Sequence, residues 1–225
     1  MPKVEETFEQ MRKRLIADKS SRPKQKEIIP ERRYFLIVTE GFRTEPIYFD
    51  YLRKLLPIRL AEMVEIKPAI TNTIRVVKEA IRLRERRLKT KTLPLYDEVW
   101  TVFDKDDFPA RHFNQAVLLA SKNGIEHGAS NQSFELWYLL HFEYLENAVT
   151  REQYVSKLSK LLGFPYEKND SKVVERLFKE DKYKTAIKNA RRLEVLHQGK
   201  TPAQSNPSTR VYVLVERLTK YLTIY

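Results

Sequence analysis

The amino-acid sequence predicts an α/β fold: a parallel sheet flanked by helices, with a flexible basic N-terminal arm and a helical C-terminal extension. Three observations support this. Apolar runs of strand length alternate with amphipathic segments from residue 33 to about 130, only helical periodicity follows, and residues 1–32 are rich in charged residues, Ser and Pro. Strands separated by helices favour a parallel sheet with right-handed crossovers. We therefore expect an arm at 1–32, an α/β core at 33–145 and a helical region at 146–225 that packs back on the core.

The elements predicted for the core alternate between strand and helix. The run 34–39 is continuously apolar, which is typical of a strand buried on both faces. The helices are identified by apolar side chains that recur on one side, and Asn72 or Thr73 can cap the second of them. In order, the predicted elements are a strand at 34–39, a helix from about 44, a strand at 64–67, a helix from 72 or 73, a strand at 98–103, a helix at 110–122 and a strand within 124–130.

The remainder of the chain is predicted to be helical. Residues 133–144 form an aromatic-rich helix, and two more helices are expected at 150–162 and 171–195. The segment from Asn206 opens a last helix that extends to about residue 221, with Ser208 or Thr209 as its cap. A short helix is also expected at 8–16, within the arm.

Composition narrows the class of partner. Lys and Arg number 42 against 30 Asp and Glu, which gives a net charge of +12. Such an excess favours polyanions, above all nucleic acid, although it can also serve only to keep a protein soluble. The absence of cysteine excludes disulfides, Cys-based zinc sites and a thiol nucleophile. No signal peptide and no apolar run near the roughly 20 residues of a membrane span are present, so we expect a cytoplasmic protein without a membrane partner.

Carboxylates follow two of the predicted strands at the point where each ends. Glu40 follows the first, with Glu45 at the head of the next helix, and Asp104, Asp106 and Asp107 follow the third. Ligands bind at the carboxyl ends of parallel strands, so these acids converge if the two strands are neighbours. Crowded carboxylates repel one another unless a cation neutralises them, and oxygen ligands select Mg²⁺ or Mn²⁺. Such ions can activate water against a phosphodiester.

A simpler interpretation applies to each acid taken singly. An Asp-rich turn after a strand often caps the following helix, and Glu45 can serve only to stabilise a helix N-terminus. The combination of strand-Glu-Gly with strand-Asp-x-Asp, in this order, is much harder to explain by capping alone. The sequence therefore predicts a candidate site around Glu40, Asp104 and Asp106.

Two short segments resemble the motifs of the Toprim domain, which occurs in topoisomerases, primases and overcoming-lysogenization-defect nucleases. They are Ile37-Val38-Thr39-Glu40-Gly41 and Val102-Phe103-Asp104-Lys105-Asp106. Three segments, at 40–49, 130–142 and 206–209, resemble the RloB family of bacterial and archaeal defence proteins. Together they cover roughly residues 33 to 220.

This resemblance implies a Toprim fold and a metal-dependent nuclease in antiviral defence or restriction, often beside an AAA-type ATPase encoded nearby. It implies that Glu40 binds metal or transfers a proton and that Asp104 and Asp106 bind the metal, and Glu45 matches the second acid of the first motif. Gln132 stands where the family usually has Pro, which affects how the following helix begins.

Other polar residues in these segments are further candidates. Glu135 is a candidate metal ligand, and the alternative is a carboxylate placed in the first turn of a helix. The remaining candidates would bind substrate. For Ser130 and Asn131 the alternative is a helix cap, for His141 a core position, and for Ser208 a helix start. The substrate-binding candidates are Arg43, Ser130, Asn131, His141, Lys200 and Ser208.

Two basic helix faces favour a nucleic-acid track, with solvated surface as the alternative. The track residues are Arg75, Lys78, Arg82, Arg84, Arg86, Arg87 and Lys89, then Lys184, Lys188, Arg191 and Arg192. The leading hypothesis is a nuclease that acts on DNA or RNA, with transfer RNA among the candidates. The alternatives are a non-catalytic nucleic-acid- or partner-binding module and a nucleotidyl transferase, and a homo-oligomer is left open.

Overall fold

The computed structural model describes residues 9–11, 13, 33–69 and 72–222. The predicted N-terminal arm lies outside these residues apart from four positions. Those four, 9–11 and 13, are helical, within the short helix expected at 8–16. The Met11 side chain is buried against the main apolar cluster of the protein.

A five-stranded sheet lies at the centre of the fold, with the strand order β2-β1-β3-β4-β5. The first four strands are parallel and the fifth is antiparallel to β4. This confirms the α/β fold with a mostly parallel sheet. The strands are β1 (Phe35–Thr39), β2 (Val64–Pro68), β3 (Glu98–Asp104), β4 (Glu126–Asn131) and β5 (Ser208–Thr209).

Helices cover both faces of the sheet. The side chains of each strand point alternately to the two faces, where they pack into two separate apolar clusters. Leu36, Val38 and Phe103 pack on one face with residues of the second and third long helices. Ile37 and Trp100 pack on the other with the first helix and the C-terminal helices. The helices are α1 (Thr44–Leu55), α2 (Ile58–Ala61), α3 (Thr73–Lys89), α4 (Ala110–Lys122), α5 (Glu135–Leu140), α6 (Arg151–Leu162), α7 (Ser171–Phe178), α8 (Lys182–Leu196) and α9 (Val211–Thr219).

Side-chain caps mark the start of α3 and of α6. The Asn72 side chain accepts a hydrogen bond from the Arg75 amide, which caps α3 as expected. At α6, Thr150 and Gln153 form a reciprocal capping box, and Gly163 ends the helix in the left-handed conformation.

Two helices are shorter than the sequence predicts. The aromatic-rich helix expected at 133–144 is the six-residue α5. The helix expected at 171–195 is divided into α7 and α8, because Glu180 and Asp181 both have φ of 56°, a left-handed conformation that interrupts an α-helix. The short α2 was not predicted.

Ser208 and Thr209 form β5, so the expectation that they begin the last helix was wrong. Thr209 pairs with Ser130 and Ser208 with Asn131, and the helix starts at Val211. Thr209 Oγ1 still accepts a hydrogen bond of 3.3 Å from the Val211 amide, so its hydroxyl does reach the first turn of α9. A strand of two residues is too short to show an apolar pattern, so its pairing with β4, some 80 residues away, could not be predicted from the sequence.

Among the described residues, no helix has the length and apolar character needed to cross a membrane.

Candidate active site

The carboxyl ends of β1 and β3 lie side by side, which brings together the two acidic segments that follow these strands. Thr39 is in register with Val102, and the Glu40 amide donates to the Val102 carbonyl at 2.9 Å. The Asp104 amide in turn donates to Glu40 Oε2 at 3.0 Å. Glu40 is therefore fixed against the end of β3, next to Asp104.

Gly41 allows the second acid of the first segment to approach. Its amide donates to Glu45 Oε1 at 3.3 Å, and a Cβ at this position would lie 2.8 Å from Glu45 Oε2. Any other residue would displace that carboxylate. The Glu-Gly pair after β1 thus brings two carboxylates to the same edge, and Glu45 is only 6% exposed.

The chain after β3 turns so that alternate acids face one cavity. Asp104 Oδ2 accepts from the Phe134 amide at 3.0 Å, whereas its Oδ1 is buried and has no hydrogen-bond partner. The Asp106 amide donates to the Gln132 carbonyl, and Asp106 has φ of 46°, which makes the turn. A buried carboxylate oxygen without a partner is costly, so the position is suited to an additional cation or donor.

A cavity of about 630 Å³ contains all five acids that the sequence singled out as metal ligands. Glu135 joins from the start of α5 and is 3% exposed. Arg43, a candidate for substrate binding, also lines this cavity. The acidic cavity, as we call it, is lined by Glu40, Gly41, Phe42, Arg43, Thr44, Glu45, Asn72, Asp104, Asp106, Phe108, Phe134, Glu135, Arg151 and Lys168.

Four carboxyl groups of this cavity have raised pKa values. Burial, with repulsion from Asp106 and Glu45, raises the pKa of Glu40 to about 7. Burial and the charges of Glu45, Glu135 and Asp106 hold the pKa of Asp104 well above its usual range. Burial also raises the pKa of Asp106 and of Glu45. Strongly shifted acids grouped in a cleft are typical of functional sites.

Two cations that the sequence did not single out reach the acids from the C-terminal region. Arg151 Nη1 lies 3.1 Å from Asp106 Oδ1, and Arg151 also pairs with Asp107. Lys168 Nζ lies 3.2 Å from Glu135 Oε1, an oxygen that also accepts a hydrogen bond from the Tyr166 hydroxyl at 3.1 Å. No spacing rule marks either residue, since each is one of many basic residues in its stretch.

The donor set matches a hard divalent cation in its chemistry. The acidic ligands are carboxylate oxygens, and Asp104 Oδ1, which has no hydrogen-bond partner among the described residues, is available to coordinate a metal ion. In the part of the chain that the structure describes, however, no three acids or histidines are already arranged around a common metal position. Some of the acids are held by Arg151 and Lys168 instead.

The family model described as RloB-like protein matches residues 35–218, a span that includes every element of the sheet and the acidic cavity. The chain belongs to the RloB-like family. Comparison with curated proteins and comparison with solved structures each gave no match. The family match agrees with the resemblance of the 40–49 and 130–142 segments.

Three substrate-binding candidates of the RloB-like chain do not line the acidic cavity. Ser130 is buried and its hydroxyl is 3.0 Å from Thr209 Oγ1, across the β4–β5 pair. Asn131 donates its side-chain amide to the carbonyls of Pro202 and Ala203. His141 is buried among aromatic rings, with Nδ1 2.8 Å from the Trp137 carbonyl and Nε2 3.3 Å from the Tyr48 hydroxyl. Burial lowers the pKa of His141 to about 3, so it is neutral.

Lys200 and Ser208 of the RloB-like chain line a different cavity. Ser208 donates to the Ser205 carbonyl at 2.6 Å, and Lys200 Nζ lies 3.2 Å from His197 Nδ1. The structure therefore does not bring these two candidates to the acids, and Arg151 and Lys168 supply the positive charge there.

The two predicted basic faces are partly neutralised by ion pairs. On α3, Arg82 pairs with Glu79 and Arg87 with Glu65, while on α8 Arg191 pairs with Glu216. The exposed cations of α3 that pair with no carboxylate of the described residues are Arg75, Lys78, Arg86 and Lys89.

Proposed function

We propose that this RloB-like chain is a Toprim-type nuclease that hydrolyses phosphodiester bonds of DNA or RNA with Mg²⁺ or Mn²⁺. The observation that carries the proposal is the acidic cavity, in which Glu40 is hydrogen-bonded to the Asp104 amide and Asp104 Oδ1 is buried without a partner. The Glu-Gly and Asp-x-Asp segments at neighbouring strand ends support the Toprim assignment.

In this proposal Asp104 and Asp106 hold the metal, with Glu45 and Glu135 as the further acids of the site. A bound divalent ion supplies an activated water and neutralises charge at the phosphodiester. Glu40, whose pKa is about 7, is suited to take up and return a proton near neutral pH.

The cations of the acidic cavity have a role in the same proposal. Lys168 and Arg151 line the cavity and are partly exposed, so they can contact a phosphate oxygen of the substrate. A charge-assisted contact of this kind helps to orient the phosphate and to stabilise the charge that develops on it. The net charge of +12 supports binding to a nucleic acid.

The biological setting is proposed from the family resemblance alone. We infer a cytoplasmic role in prokaryotic antiviral defence or restriction, together with an AAA-type ATPase. The helices that follow residue 146 are available for contacts with such a partner.

A second candidate function is a non-catalytic nucleic-acid- or partner-binding module. It is favoured by the ion pairs Arg151–Asp106 and Lys168–Glu135, which neutralise part of the acidic cavity without any metal. A module of this kind keeps its binding when the acids are replaced, whereas a nuclease loses its activity.

The test compares the wild type with Glu40→Gln and Asp104→Asn on pooled DNA and cellular RNA, in Mg²⁺, Mn²⁺ or EDTA. The matched control is Glu85→Gln, because Glu85 is exposed on α3 and far from the cavity lining. We expect cleavage by the wild type and the control only, and none in EDTA. Binding of Mn²⁺, followed by calorimetry, gives a readout that is independent of cleavage.

If no cleavage occurs even with the ATPase partner present, and Mn²⁺ does not bind, the nuclease proposal fails. The second candidate then takes its place, provided that both acid variants still bind nucleic acid like the wild type.

A further inference from the structure

A second cavity, of about 540 Å³, lies between α4, β4, the C-terminal end of α8 and the segment that leads to α9. It shares no lining residue with the acidic cavity. Its size is within the range of roughly 300–1,000 Å³ that is usual for small-molecule sites. Nothing in the proposed nuclease reaction uses it.

Positive charge dominates the polar lining of this cavity. Lys200 Nζ contacts only the neutral ring of His197, at 3.2 Å, and in the described part of the chain it has no carboxylate within ion-pair distance. Arg210 Nη1 lies 2.9 Å from Glu194 Oε1, the one acid among the lining residues. One carboxylate therefore faces two permanent cations, which leaves the cavity suited to an anion.

Two nitrogen atoms of the lining residues are buried and have no hydrogen-bond partner. They are Nδ1 of His127 and Nε of Arg210. His127 lies on β4 with its ring stacked on Phe103 at a centroid distance of 6.3 Å, so it is held in place. Burial, with the positive charge of Arg210, lowers the pKa of His127 to about 4. The Arg210 Nε–H is an unsatisfied donor, and the neutral His127 ring can carry its proton on Nδ1 and supply a second donor. Such a pair beside a cavity is suited to an acceptor-rich group.

The lining of the cavity also includes apolar side chains. Among them are Val117 and Pro202, together with Val195, which is 73% exposed. A large exposed aliphatic side chain beside a cationic cavity offers a contact surface for a flat ring. The cavity thus combines a site for a phosphate with a surface for a base.

We propose that this second cavity binds the phosphate of a nucleotide at Lys200, Arg210 and His127, with the base against Val117 and Val195. The recognised chemistry is a nucleoside monophosphate, whether free or at the 5′ end of a strand. This inference is independent of the proposed nuclease activity, because no residue is shared between the two cavities.

The test measures binding by calorimetry to the full chain in EDTA, which removes divalent ions from the acidic cavity. The probes are the four nucleoside monophosphates, the matching nucleosides, and short single-stranded oligonucleotides with a 5′-phosphate or a 5′-hydroxyl. We expect the nucleoside monophosphates to bind and the nucleosides not to bind, and the 5′-phosphorylated oligonucleotides to bind more tightly than the same strands with a 5′-hydroxyl. We also expect Lys200→Ala to weaken that binding by about tenfold, since a charge-assisted contact is lost.

The matched control is Lys122→Ala, because Lys122 is exposed at the end of α4 and outside the cavity lining. His127→Gln gives a second variant, and its thermal unfolding curve shows whether it is folded. Free monophosphates that bind better than the 5′-phosphorylated strands identify a small-molecule site, and the reverse identifies a strand-end site. The proposal is overturned if no phosphorylated probe binds, or if Lys200→Ala binds like the control while Lys168→Ala does not.

Discussion

Glu40 shows how one residue links the fold to the proposed chemistry. Its carboxylate is fixed by the Asp104 amide, yet burial and its acidic neighbours raise its pKa from 4.5 to about 7. A carboxyl group whose pKa is raised in the folded state favours folding while it is protonated. That contribution is fully present below pH 4.5 and is lost as the pH rises through about 7. Above about pH 7 Glu40 is ionised, which favours metal binding but makes its contribution to folding least favourable.

Glu40→Gln should flatten this pH dependence. In EDTA the wild type is expected to lose stability between pH 5 and 8 by at most about 3 kcal/mol from this residue. The variant keeps a side-chain oxygen for the Asp104 amide but carries no charge, so it should gain stability relative to wild type at pH 8. Urea unfolding at several pH values measures the difference, and Glu85→Gln is the control. Parallel wild-type and Glu40→Gln curves would show that Glu40 ionises freely.

Gly41 is a second single residue on which the geometry of the acidic cavity depends, because it leaves room for the Glu45 carboxylate. A Cβ there would lie 2.8 Å from Glu45 Oε2, the far end of a flexible side chain, so Glu45 can move aside at little cost. Gly41→Ala should therefore leave the melting temperature nearly unchanged and lower the proposed cleavage rate by about 100-fold, since misplaced groups are costly to catalysis. Gly163→Ala is the contrasting variant, because Gly163 has φ of 82° and lies outside the cavity lining. It should lose stability by about 1 kcal/mol and keep its activity. Equal cleavage activity in the two variants would show that cleavage does not depend on the position of the Glu45 carboxylate.

At the scale of elements, the site joins two parts of the chain. The strand ends supply carboxylates, whereas the first residue of α6 and the loop between α6 and α7 supply Arg151 and Lys168. The carboxylates of Glu135, Asp104 and Asp106 raise the pKa of Lys168 although burial opposes this, so it is charged. Packing of α6 beneath α5, through Tyr154 and Leu158 in the main apolar cluster, fixes where these cations lie.

Lys168→Ala separates two roles of that cation. If Lys168 contacts the substrate phosphate, the variant should lose about tenfold to 100-fold in cleavage rate, and Lys168→Arg should recover part of it. Removing a positive charge beside the acids should at the same time tighten Mn²⁺ binding. Single-turnover cleavage and calorimetry measure the two effects. If the variant binds Mn²⁺ more tightly and cleaves at the wild-type rate, Lys168 only neutralises Glu135 and does not contact the substrate.

Over the whole molecule, the sequence predicts what is local and misses what is distant. The alternation of strands and helices, the cap at Asn72 and the acids after β1 and β3 all follow from neighbouring residues. The pairing of β5 with β4, the ion pair of Arg151 with Asp106 and that of Lys168 with Glu135 join residues far apart in sequence. No periodicity marks such contacts, because they depend on how the helices pack. For the same reason the sequence does not reveal that Lys200, a candidate for substrate binding, lies at a different cavity from the acids.

The charge of the whole molecule leads to a last prediction, about the path of a nucleic acid across the surface. The N-terminus of α3 lies at the acidic cavity, since Asn72, the cap of this helix, lines it. Arg75 and Lys78 are in the first turns of this helix, and Arg86 and Lys89 are at its far end, roughly 17 Å further along at 1.5 Å per residue.

A track that leads to the acids should depend on the near pair more than on the far pair. We expect the Arg75→Ala/Lys78→Ala double variant to raise the KM for the proposed cleavage and to weaken binding of a single-stranded oligonucleotide in EDTA. The slope of log K against log salt is negative, and each lost phosphate contact should reduce its magnitude by about 0.7. The matched control is Arg86→Ala/Lys89→Ala, which removes the same charge and should change both quantities less. Equal effects of the two pairs would mean that the net charge attracts the strand without a defined path, since only a localised track distinguishes positions on one helix.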